Sequence, residues 1–224
     1  MIALVVVVAV LVAADFGARA FAQAQIASQL RQAGFPSEPG VSIGGFPFLT
    51  QVASHDIGQV TIDAANVPAG PVTITRIDAV LTNVRPDAAL TGGTVGHLSG
   101  KAFISFGELS RALSAQAGGL AGALVGDGLR LTAAGPDAVR ASLDLAGGAV
   151  SWSATWQAVP TGPGEIDLRL VSSSGLPSSL MSSVTNIKIP LPHLPLGLKM
   201  NGGLNADSSG LSVTVGAQSV SFGS

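Results

Sequence analysis

The sequence predicts an α+β fold in one domain, mainly antiparallel β. Three observations predict it. Apolar and polar residues alternate with period two over much of the 224-residue chain. One strong helical pattern stands near the N-terminus. Charged residues make up only 11% of the chain against 47% hydrophobic ones, where soluble domains carry about 25% charged. With few helical segments to cover the strands, the apolar faces must find another partner, and a container for something oily is one solution.

Residues 1–14 read as a signal h-region or membrane anchor. Ile2 to Ala14 (IALVVVVAVLVAA) has no charge before Asp15, and at 13 residues it falls short of the about 20 that a spanning helix needs. Ala18-Arg19-Ala20 and Ala20-Phe21-Ala22 are A-x-A sites at which a secretory signal could be cut. Export, with the segment cleaved or kept as a tether, is the expectation, and residues 15–224 form the remaining domain. Asp15 to Ala33 is a helix, because Phe16, Ala20, Ala24, Ala27, Leu30 and Ala33 recur at three- and four-residue spacing before Gly34 and Pro36 stop it.

The period then changes. Val60, Ile62 and Ala64 alternate with Thr61 and Asp63. Val72 to Val84 is rich in β-branched residues, and Arg76 and Asp78 within it suggest a bulge or an exposed edge. Ala102, Ile104 and Phe106 mark another strand, and Gly107 to Gln116 a second helix. Glycines 118, 122 and 126 punctuate an apolar loop. Val139 to Leu145, Val150 to Ala158 and Ile166 to Leu170 alternate cleanly between turns at Gly147-Gly148 and Thr161 to Gly164, as antiparallel strands with one solvated face do. Pro190, Pro192 and Pro195 exclude a central strand from Ile187 to Leu198, which is placed at an edge or crossing. Leu211, Val213, Val215 and Ala217 close the chain as a strand.

Chemistry-bearing constellations are sparse. A net charge of −2 without a basic patch argues against nucleic acid. The absence of cysteine excludes disulfides, zinc-thiolate sites and a thiol nucleophile. His55, His97 and His193 lie far apart without metal-ligand spacing. His55-Asp56 reads as a surface pair, since neighbouring strand residues face opposite ways. Gly96 to Lys101 (GHLSGK) is one residue short of a phosphate loop and has Ala102 where Ser or Thr belongs. Glu108 and Asp127 are read as capping or solvated carboxylates. No catalytic set and no cofactor are expected.

The candidate lipid-contacting residues are apolar. Phe46, Phe48 and Leu49 surround Pro47; Trp152 and Trp156 share a strand face with Ala154 between them; Leu120 and Leu124 sit on the glycine-rich loop; Ile189, Leu191, Leu194 and Leu196 lie on the proline-rich segment. Each group has a plainer reading as core, but large residues beside small ones are also how apolar pockets are lined. Arg76, Arg85, Lys101, Lys188 and Lys199 are the basic residues from which a head group would choose.

The chain resembles the LmeA family of actinobacterial envelope phospholipid-binding proteins. The resemblance rests on DFGARAFAQAQIASQLRQAG, on VSIGGFPFLTQVASHDIGQVTIDAANV with Gly45-Phe46-Pro47-Phe48-Leu49-Thr50-Gln51 as its most specific part, on ISFGELSRAL and on LPLGLKMNGGLNADSSGLSVTV. It covers nearly all of the chain after the apolar start. No basic residue precedes that start, a departure from the family's pattern. The resemblance implies a tubular lipid-binding architecture, a long curved antiparallel sheet wrapped around a long N-terminal helix with a groove for acyl chains. It also implies an envelope or periplasmic location, contact with the membrane surface, and binding of phospholipid such as phosphatidylinositol in support of mannan elongation on lipomannan. The competing expectation is an accessory scaffold for a membrane glycosyltransferase with no lipid cavity.

Overall fold

A computed structural model describes residues 2–32, 35, 38–69, 72–88, 92–117, 129–145, 150–162, 165–175, 185–190 and 199–222. Among the described residues there are three helices: α1 (Ile2–Gln32), α2 (Phe48–Ala53) and α3 (Phe106–Ala117). The strands are β1 (Gly40–Ile43), β2 (Ile57–Ala69), β3 (Val72–Pro86), β4 (Gly93–Ser105), β5 (Leu129–Gly135), β6 (Ala138–Leu145), β7 (Val150–Gly162), β8 (Glu165–Ser174), β9 (Asn186–Pro190), β10 (Lys199–Ala206) and β11 (Gly210–Phe222). They form a six-stranded sheet ordered β1-β2-β3-β4-β11-β10 and a five-stranded sheet ordered β5-β6-β7-β8-β9. The α+β class and its antiparallel pairing are as the sequence implies. The chain gathers into two compact units, one of Met1–Ala65, Ile77–Gly100 and Gly216–Ser224, the other of Asn66–Arg76 and Lys101–Val215.

In the first unit α1 runs unbroken through Asp15, joining the apolar start and the following amphipathic stretch into one helix of 31 residues, about 46 Å at 1.5 Å per residue. It packs on β1 and α2. Its first half is bare: Val5, Val6, Val7, Val8, Val10 and Leu11 are all more than half exposed. Arg31 in its last turn pairs with Glu38 at 2.8 Å, at the end where a cation suits the helix dipole. β1 pairs with β2 in register, Ile43 opposite Val60, and both are buried. Asn83 on β3 and Ser219 on β11 adopt left-handed backbone conformations, single-residue irregularities that bend a strand. The edge expected at Arg76 and Asp78 is not there, because β3 lies between β2 and β4.

In the second unit the alternating segments become β6, β7 and β8 with the expected phase. Val139, Ala141, Leu143, Ala154, Trp156, Ala158 and Leu168 are buried, while Arg140, Gln157 and Arg169 are exposed. Asp167 departs from the pattern: it is buried and its Oδ1 has no hydrogen-bond partner. Among the described residues β9 is an edge strand paired with β8, as suits a strand that ends in proline. Helix α3 starts at a cap, where the Ser105 hydroxyl accepts the Glu108 N–H at 3.2 Å, and the Glu108 carboxylate pairs with Arg111 one turn on. The helix packs on β5. β10 lies against β5 and β7, and β11 is buried on both faces from Gly210 to Val213.

Candidate functional site

Two apolar assemblies carry the candidate residues, one in each unit. The first is the corner from Gly44 to Ala53. Gly45 has φ +87°, and a Cβ there would sit 2.6 Å from the Gln51 amide nitrogen, so the turn needs glycine on both counts. Gln51 staples the corner, donating to the Gly44 carbonyl at 3.2 Å and accepting the Gly58 N–H at 3.2 Å. Pro47 precedes α2 and its carbonyl accepts the Thr50 hydroxyl at 2.8 Å.

Pro47, as N-cap residue, offers α2 no side-chain acceptor. That acceptor comes from 33 residues away. The Phe48 and Leu49 N–H groups donate to the two oxygens of Asp15 at 2.9 and 2.7 Å. Asp15 is only 4% exposed, and a buried carboxylate is tolerable where N–H donors and a helix N-terminus face it. The clamp sorts the three apolar residues of the corner. Phe48 points inward and is 5% exposed, whereas Phe46 and Leu49 point outward at 60% and 42%. The Phe46 ring lies against Phe16 of α1 with centroids 6.0 Å apart, and Phe16 is itself exposed.

The second assembly is the apolar face of the five-stranded sheet. Its register stacks rows across strands: Leu129, Leu143 and Trp152; Leu131, Ala141 and Ala154; Val139, Trp156 and Leu170. A row holding Ala141 and Ala154 beside Leu131 therefore runs between two rows that each carry a tryptophan. Ala154, Ala141 and Trp156 are 1%, 2% and 5% exposed, so they are closely covered. Trp152 at the end of the face is half-buried. Register places Ile189 of β9 opposite Ile166 of β8. A bulge between Thr155 and Trp156 shifts the pairing with β8 and leaves Val171 outward at 64%.

A polar feature lies in the first unit. Asn83, Arg85, Thr94, Val95, Gly96, His97 and Ser219 line an open depression of about 360 Å³. It includes the left-handed residues Asn83 and Ser219, and Gly96 approaches the Asn83 side chain so closely that a Cβ would lie 2.9 Å away. Arg85 is the member of the basic pool that lines it. His55 is exposed, with Nδ1 3.2 Å from the Pro86 carbonyl. Among the described residues no group of three or more His, Asp or Glu is gathered as a metal site.

A family model for LmeA-like phospholipid-binding proteins matches residues 13–216. The chain belongs to this family. No curated protein and no solved structure shows a significant match to it. Membership in the LmeA-like family assigns phospholipid binding as the coarse function, and the match takes in both assemblies. Of the residues singled out in the sequence, Phe46, Phe48 and Leu49 come together at the corner, and Trp152 and Trp156 on the sheet face, with Ile189 two strands from Trp156. Leu120, Leu124, Leu191, Leu194 and Leu196 lie outside the described residues, as do His193 and Asp127. Sequence reasoning missed Asp15 and Phe16. The available signal was a lone acidic residue ending an apolar run, followed at once by an aromatic.

Proposed function

We propose that this protein binds phospholipid without catalysing a reaction on it, and transfers or presents the lipid in the cell envelope. The family match over residues 13–216 carries the reading. Phosphatidylinositol is the proposed ligand and support of mannan elongation on lipomannan the proposed role. Apolar residues at the corner and on the sheet face are the proposed acyl-chain contacts, since each buried methylene contributes about 0.8 kcal/mol. Helix α1, long and apolar enough to cross a membrane by length and composition, is the proposed tether to the outer side of the cytoplasmic membrane.

A second reading is favoured by one observation. Ala154, Ala141, Ala158 and Trp156 are all 5% exposed or less, as in a sheet that packs solidly and serves as a scaffold for a membrane glycosyltransferase. Native mass spectrometry after mild extraction separates the two. A phospholipid that co-purifies at one per chain and exchanges for added phosphatidylinositol supports the carrier. A bare chain that takes up no lipid from vesicles supports the scaffold.

A further inference from the structure

We propose that Phe16, Phe46 and Leu49 form an apolar foot that seats in the boundary between head groups and acyl chains of the bilayer entered by the first half of α1. The proposal rests on the tether reading above and adds to it a second, folded contact with the same membrane.

Four observations point there. The three side chains are 56%, 60% and 42% exposed; Phe16 and Phe46 are in ring contact, and the Leu49 N–H is bonded to Asp15, the residue before Phe16. Exposed apolar clusters on a folded surface mark binding faces. The cluster continues the bare stretch of α1: Phe16 lies about 3 Å along the axis from Ala14 at 1.5 Å per residue, and Val5 to Leu11 are exposed above it. The folded corner first meets α1 at Asp15, so the level of Phe16 is where the bare apolar helix ends and the folded surface begins. Finally, acidic charge is withheld from the patch, and Arg19, one turn beyond Phe16, is the nearest cation on α1. Residues 39–54 contain no Lys, Arg, Asp or Glu, and Asp15, the one acid at this level of α1, is buried with both oxygens accepting N–H groups of α2. The clamp that hides the carboxylate is also what turns Phe46 and Leu49 outward. A bilayer, rather than a second copy, is the occupant that this continuity with an apolar helix selects, and Phe and Leu side chains on a surface-lying face bury at the boundary of head groups and acyl chains.

The chain has no cysteine, so single reporters can be placed cleanly. Spin labels on Val8→Cys and, separately, Leu49→Cys are measured in the full chain reconstituted in phosphatidylcholine vesicles, with oxygen and a water-soluble nickel complex as relaxants. Thr50→Cys, also exposed, replaces Leu49→Cys if that variant does not fold. The expected result is a several-fold rise in the oxygen-to-nickel accessibility ratio at both sites on reconstitution, larger at Val8. A label in lipid at Val8 but in water at Leu49 overturns the foot and leaves the tether standing. A label in water at Val8 overturns the tether and the foot with it. Strong spin–spin broadening between Leu49 labels, with or without vesicles, shows a second copy on the patch and also overturns the proposal.

Discussion

Replacing Asp15 by alanine tests the clamp directly. The variant removes the acceptor for two N–H groups of the first turn of α2. Loss of an N-terminal cap costs about 1 kcal/mol, and a buried donor left unpaired costs about 1–3 kcal/mol. Leu49 is part-exposed and its N–H can recover a water, whereas Phe48 is 5% exposed, so only one donor bears the full penalty. Both figures describe the same lost bonds and overlap rather than add, which leaves about 2 kcal/mol of local stability, or roughly 30-fold in the opening equilibrium at 1.4 kcal/mol per tenfold. Amide hydrogen exchange on the full chain in detergent reads this at Phe48 and Leu49, with the Val60 amide of β2 as internal reference. Exchange at Phe48 is expected to accelerate about 30-fold while Val60 stays unchanged. Asp15→Asn keeps one acceptor oxygen and is expected to fall between alanine and the parent. Unchanged exchange at both amides in a folded Asp15→Ala variant would show that the carboxylate does not hold the corner, and the reasoning would fail.

Three further outcomes are expected. Asp207 is held below the usual carboxylate range by the Ser209 hydroxyl first, then by the Ser209 N–H, with the Gly210 N–H and Lys101 adding and desolvation opposing. A depressed folded value means that the order it lends the β10–β11 turn is complete above the unfolded value of about 3.9 and is lost as pH falls through the folded one. Carboxyl carbon NMR should therefore give a low midpoint that rises toward normal in Ser209→Ala, and an unmoved midpoint would contradict the assignment. In Gly210→Ala the new Cβ would collide with the Ile104 carbonyl and the Phe103 ring; a loss of about 2 kcal/mol in denaturant melts is expected, and full stability would refute the close approach. Ala154→Leu forces three more carbons into a site 1% exposed and is expected to cost about 1–3 kcal/mol; if the variant melts like the parent, space lies behind the alanine row and the sheet face is hollow after all.

Local patterns were legible and long-range ones were not. The strands β6, β7 and β8 follow from period-two alternation because each residue's side is set by its own position in the pleat. Pro190 announced the edge position of β9 for an equally local reason, its missing N–H. Helix α2 was invisible: six residues carry too little periodicity, and the group that caps it stands 33 positions upstream. The same distance hid the split between Phe48 and its neighbours Phe46 and Leu49, which composition treats alike. Arg76 and Asp78 suggested a bulge or an exposed edge, yet strand order is a tertiary property and put β3 inside its sheet, which removes the edge. Asp167 sits on a strand whose alternation should expose it; burial there depends on what covers the sheet, which no window along the chain contains. The candidate site was thus readable as a list of apolar residues, and unreadable as a sorting of those residues into inward and outward.

The two outer strands of the five-stranded sheet limit how this protein can crowd. One margin is β9, five residues long and ending in Pro190; the other is β5, seven residues long, with a register irregularity between Ala133 and Gly135 and α3 packed on it. Short, kinked or proline-bearing margins offer a neighbouring chain few free hydrogen-bonding groups to zip onto. A polypeptide so poor in charge would otherwise be prone to stack sheet upon sheet into fibres. Here, growth from either margin of this sheet is hindered at the backbone.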